Sequence, residues 1–112
     1  MYQIIFYWDE RGRKPVREFI DLLPDKTQNK IEVWIDLLKK DGPFLRRPYA
    51  DKIDGKIYEL RIRFSSDSIR ILYFFFIQGK IVLLHAFRKK DWKIESGDLQ
   101  IAKKRICVKL LD

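Results

Sequence analysis

The chain is expected to fold as an α+β domain: a strand, two helices, three consecutive strands and a closing helix. Three observations predict this. Apolar residues recur at helical spacing between Pro15 and Gly42. Residues 56–90 read as three β-rich runs separated by two short turns. A second helical pattern follows Ser96. In such an order the helices are expected to pack on one face of the sheet, leaving the other face partly open.

Taken in order, Tyr2–Trp8 is aromatic and rich in isoleucine, and reads as the first strand. Asp9–Lys14 is a charged turn around Gly12. Pro15 suits the first turn of a helix, where its missing N–H has no partner to lose. Val16, Phe19, Ile20 and Leu23 then form one apolar side. Pro24 ends that helix and opens another, with Ile31, Trp34, Ile35 and Leu38 as its stripe and Gly42-Pro43 as its stop. The two form an antiparallel hairpin. Residues 44–55 are expected to be a connecting loop, carrying Arg46, Arg47, Pro48, Lys52 and Gly55.

The three strands are placed at about 56–64, 68–77 and 79–88, as an antiparallel meander. Ser65–Ser68 and Gln78-Gly79 supply the turns, the second tight enough for a hairpin. Phe74-Phe75-Phe76 implies that the middle strand is buried on both faces. On the open face Glu59, Arg61 and Arg63 should alternate with Leu60, Ile62 and Phe64. The last strand shows that face either Ile81, Leu83, His85 and Phe87, or Val82, Leu84, Ala86 and Arg88. Ser96 or Asp98 caps the closing helix, whose apolar side is Leu99, Ala102, Ile106 and Leu110.

With 112 residues, of which 46% are hydrophobic, a single domain over 1–112 is the natural expectation. Cys107 is the only cysteine, so no internal disulfide forms. The start MYQIIFYWDE lacks a basic leader and a small-residue cleavage site, and no apolar run approaches the roughly 20 residues a membrane span needs. A cytoplasmic protein without membrane contact is expected. Net charge is +8. Residues 1–45 hold eight Lys/Arg and eight Asp/Glu, whereas residues 46–112 hold sixteen and eight. This one-sided excess fits a nucleic-acid binder or the partner of an acidic protein, with a solubilising surface as the plainer alternative.

The segments Tyr58-Glu59-Leu60-Arg61, Arg70-Ile71-Leu72-Tyr73-Phe74, Leu83-Leu84-His85-Ala86-Phe87-Arg88-Lys89-Lys90 and Ala102-Lys103-Lys104-Arg105, in this order and at this spacing, resemble the RelE/ParE toxin superfamily. More narrowly they resemble its HigB-like, phage-derived group. Pro15, Glu18-Phe19 and Lys52-Ile53 also fit, so the resemblance spans nearly the whole chain. It implies a RelE-like fold and a type II toxin held by a cognate HigA-like or RelB-like antitoxin. It also implies a ribosome-dependent endoribonuclease that cuts mRNA without metal or cofactor. Members of the ParE branch share the fold but act on DNA gyrase, so a gyrase inhibitor remains an alternative, as does a non-catalytic binding protein.

The implied reaction is attack of a 2′-OH on its own 3′-phosphate. It needs in-line alignment, a base, an acid and charge stabilisation at the phosphoryl oxygens. A guanidinium suits the last task, because its fork matches two phosphate oxygens. Arg70 is the expected transition-state clamp, set against a pairing with Glu59 on the neighbouring strand. Arg61 is the expected phosphate ligand. Lys89 or Lys90 is the candidate acid or base, since neighbouring cations lower a lysine pKa. His85, the only histidine, has a suitable unperturbed pKa, although its apolar strand favours a semi-buried structural role. Arg46, Arg47, Lys52, Arg63 and Arg88 are expected to bind RNA. The stacking tyrosine found near the end of the RelE pattern is missing here; Trp92 is the candidate to stack in its place, with a hydrophobic anchor against the last helix as the equal alternative.

Overall fold

The computed structural model describes residues 1–64, 66–89 and 96–111. Along the chain run β1 (Gln3–Phe6), α1 (Pro15–Asp21), α2 (Asp25–Asp41), a 3₁₀ turn (Gly42–Phe44), β2 (Ala50–Asp54), β3 (Ile57–Phe64), β4 (Asp67–Phe76), β5 (Lys80–Arg88) and α3 (Ser96–Leu111). The five strands form one sheet in the order β1-β5-β4-β3-β2. β1 runs parallel to β5, and every other neighbouring pair is antiparallel. The expected α+β architecture is found, and every expected element appears in its place, with one strand more than expected.

Pro15 does open α1, and β4 joins β5 through the short turn Ile77–Gly79, which includes the expected Gln78-Gly79. Gln78 and Gly79 have positive φ, the conformation whose twist matches a right-handed hairpin. No helix among the described residues is long and apolar enough to cross a membrane.

Three expectations need correction. Ala50–Asp54, read as loop, is the edge strand β2 paired with β3. Only Ala50 in it is buried, so it carries no apolar alternation to betray a strand.

Second, the helices do not share one face. Val16, Ile20, Ile31, Ile35 and Leu38 of α1 and α2 pack on Leu60, Ile62, Ile69, Ile71, Ile81 and Leu83. Ala102 and Ile106 of α3 pack on Ile57, Leu72, Phe74, Val82 and Leu84, the alternate side chains. The sheet is therefore covered on both faces, as the Phe74-Phe75-Phe76 run requires: Phe75 lies against the first core, Phe74 and Phe76 in the second. Fully burying each such Ile, Leu or Phe contributes about 2 kcal/mol.

Third, neither alternating set expected for β5 holds. The β4–β5 register shifts at Leu72/Tyr73, where Tyr73 faces Leu83 while Leu72 faces His85. Leu84 is the extra residue of this bulge. It reverses the alternation, so Val82, Leu84, His85 and Phe87 fall on the α3 side and Ile81, Leu83 and Ala86 on the other.

Candidate nucleic-acid site

Directly opposed residues on neighbouring strands share a face, so the register lays the expected site out in rungs. The first rung runs Asp51, Glu59, Leu72, His85. The second runs Arg61, Arg70, Phe87. The third pairs Arg63 with Ser68, whose carbonyl accepts the Lys89 N–H at 2.8 Å. All lie on the α3 face, where Leu72 belongs to the core that Ala102 and Ile106 cover and Phe87 packs against its margin.

Glu59 is the hub. It is 0% exposed. Its Oε1 accepts the Arg61 Nε–H at 2.9 Å and lies 3.5 Å from Arg70 Nε, a charge contact too long for a good hydrogen bond. Arg70 donates from Nη1 to Ser68 Oγ at 2.8 Å. Neither Glu59 Oε2 nor Arg70 Nε has a hydrogen-bond partner among the described residues.

The two arginines differ in access. The Arg61 side chain is 31% exposed, that of Arg70 only 5%. Burial pulls the Arg70 pKa below the usual arginine value. Glu59 opposes that shift, and the neighbouring cations Arg61 and Arg63 add to it. Arg70 is thus in charge contact with Glu59, the pairing set against the clamp role, and stands beside the more exposed Arg61.

The network continues outward. Arg61 Nη2 lies 3.8 Å from Asp51 Oδ2, which accepts from Arg47 Nη2 at 2.6 Å and Nε at 2.9 Å. The Arg47 hydrogen bond is the chief cause of a lowered Asp51 pKa. Arg46, Arg47 and Lys52 line an open groove of about 440 Å³ with Asp51 and Tyr58, so this part of the expected RNA-binding set is brought together.

Other expected residues lie elsewhere. Arg88 stands opposite Ile69, a member of the first core, and donates to Asp67 Oδ1 at 2.6 Å, so it points to the far face. His85 Nε2 lies 2.7 Å from Asp98 Oδ1, and its ring stacks on Phe87. Asp98, one of two residues read as the α3 cap, sits in the first turn and ties that turn to β5. Lys90 and Trp92 fall outside the described residues, as does the side chain of Leu110.

Sequence reasoning missed Asp51 and Ser68 as partners in this network. Asp51 was hidden by the unrecognised β2. Ser68 carried a readable signal, since it stands two residues before Arg70 on the same strand face. Among the described residues no group of three or more His, Cys, Asp or Glu is placed to hold a metal.

Comparison with curated proteins finds no match. A family model described as "Phage derived protein Gp49-like (DUF891)" matches residues 18–107, which takes in α2, most of α3 and every strand except β1. The chain therefore belongs to the phage-derived Gp49-like family, a toxin-like family of the RelE/ParE-like superfamily often found in toxin–antitoxin systems.

Proposed function

We propose that this protein is a HigB-like toxin that cleaves mRNA on the ribosome and is silenced by a cognate antitoxin of HigA-like or RelB-like type. The observation that carries the reading is the arginine row: Arg61 and Arg70 side by side, Arg63 one rung away, and one buried carboxylate, Glu59, on the adjoining rung.

In this reaction the 2′-oxygen bonds to phosphorus while the bond from phosphorus to the 5′-oxygen breaks. The products are a 2′,3′-cyclic phosphate and a 5′-OH. Arg61 turns the Nη1/Nη2 end of its guanidinium from the weak 3.8 Å contact with Asp51 to the non-bridging oxygens, and the nearly buried Arg70 beside it adds charge from a low-dielectric position. Arg63 and the Arg46, Arg47, Lys52 groove hold the flanking backbone. Lys89, at the edge of the third rung, is the described candidate for proton transfer, and Lys90 follows it in sequence. His85 is tied to Asp98, which supports the semi-buried structural role over the acid–base role.

Mapping of mRNA 5′ ends after brief induction tests this, with wild type beside Arg61→Ala. New ends within translated frames are expected for the wild type, reduced about 100-fold in the variant. Growth arrest without new ends replaces this reading with gyrase inhibition. Neither arrest nor new ends leaves a basic binding protein.

A further inference from the structure

We propose that Glu59 is a positioning residue, which orients the Arg61 and Arg70 guanidinium groups toward a phosphate. The proposal rests on the ribonuclease reading of the same site.

A carboxylate at 0% exposure, with one oxygen unpartnered among the described residues, is costly to keep. Well-packed apolar side chains are commonly as stable as a buried ion pair, so stability alone does not account for it. What Glu59 does accomplish is geometric. Its Oε1 occupies the Nε–H of Arg61. A guanidinium has two edges that can chelate an anion, the Nε side and the Nη1/Nη2 end. With the Nε side taken by Glu59, the Nη1/Nη2 end of this 31% exposed side chain is the edge left for an anion, Asp51 Oδ2 standing off from Nη2 at 3.8 Å. The same oxygen holds Arg70 at 3.5 Å, and Ser68 anchors Arg70 from the other side, so the two cations are fixed side by side despite their repulsion. Glu59 itself is buried and contacts no substrate.

Simple charge counting and positioning give opposite signs for Glu59→Gln. Removing a carboxylate from a basic face strengthens binding of a polyanion. Freeing the two arginines from their anchor weakens it. The probe is a single-stranded RNA oligonucleotide made uncleavable by 2′-O-methyl groups, titrated at several salt concentrations. Glu59→Gln is expected to bind about 10-fold more weakly, with the salt slope smaller by roughly one phosphate contact. In an Arg61→Ala background the same change is expected to add less than about 2-fold. Equal or tighter binding by Glu59→Gln overturns the proposal, as does a full additive loss in the Arg61→Ala background.

Thermal melting shows whether each variant is folded. If Glu59→Gln is not, Glu59→Asp keeps the charge but draws the carboxylate back by one methylene, and a smaller loss of binding is expected. An unchanged affinity in that variant overturns the proposal. If the wild type shows no affinity for the oligonucleotide, the NMR signal of the Arg61 Nε–H decides. Its exchange protection is lost in the Glu59 variants if Glu59 holds Arg61, and persists if it does not. End mapping tests the ribonuclease reading separately.

Discussion

Arg61 and Arg70 stand directly opposite each other on β3 and β4, and both reach one oxygen, Glu59 Oε1, at 2.9 and 3.5 Å. Like charges facing each other across a strand pair repel. The buried carboxylate on the adjoining rung turns that repulsion into a three-member cluster. It also explains how a strand as apolar as β4 tolerates a charged residue in its interior.

Breaking this cluster on one side should cost more than removing it whole. Arg70→Met leaves Glu59 buried beside the single partner Arg61, and a loss of about 3 kcal/mol in urea unfolding is expected. Replacing both, Glu59→Leu with Arg70→Met, is expected to recover most of that loss. A double variant as unstable as Arg70→Met alone contradicts the pairing.

His85 and Asp98 join β5 to the first turn of α3. A double-mutant cycle with His85→Ala and Asp98→Ala is expected to give a coupling of about 1 kcal/mol. His85→Gln should lower the melting temperature yet leave the proposed mRNA cleavage within about 3-fold, well short of the 100-fold typical of a lost catalytic group. Cleavage lost at unchanged stability returns His85 to the chemistry.

Gly42 ends α2 with a φ of +53°, and a Cβ there overlaps the Tyr2 ring. Tyr2 also donates its N–H to the Lys39 carbonyl at 2.9 Å, so the start of the chain is fastened to this helix end. Gly42→Ala combines a strained backbone with a clash and should cost about 3 kcal/mol by chemical denaturation. A variant within about 0.5 kcal/mol of wild type refutes this packing.

Tyr73 is buried at the centre of the sheet, and burial is the main cause that raises its phenol pKa, with Tyr58 adding to it. The folded protein therefore holds this proton to higher pH than the unfolded chain, whose tyrosines ionise near about 10. Above that pH the unfolded state binds fewer protons, so stability is complete below about pH 10 and declines as pH rises beyond it. Tyr73→Phe removes this contribution. Its stability relative to wild type should rise by about 1.4 kcal/mol per pH unit above pH 10. Parallel curves for the two proteins contradict the burial effect.

Much of this protein was legible in the sequence because the signals are local. Val16 and Ile20, Ile31, Ile35 and Leu38 repeat at helical spacing since each helix buries one side. Leu60 and Ile62 alternate with Arg61 and Arg63 since one side of β3 meets α1 and α2. Gly42-Pro43 and Gln78-Gly79 mark a stop and a turn through their own backbone preferences. Those patterns carried the α+β order and the candidate cations.

The tertiary structure decided the rest, because each remaining feature is a relation between distant segments. β2 exists only through its hydrogen bonds to β3. The side of the sheet taken by α3 depends on which strand positions Ala102 and Ile106 meet, and a helix pattern does not encode that. The bulge at Leu84 reverses β5, bringing His85 and Phe87 to the α3 face. Above all, strand register set Glu59 beside both Arg61 and Arg70, and so made one arginine accessible and the other buried. Periodicity states which side of its own element a residue occupies; register, a long-range property, selects which charges meet.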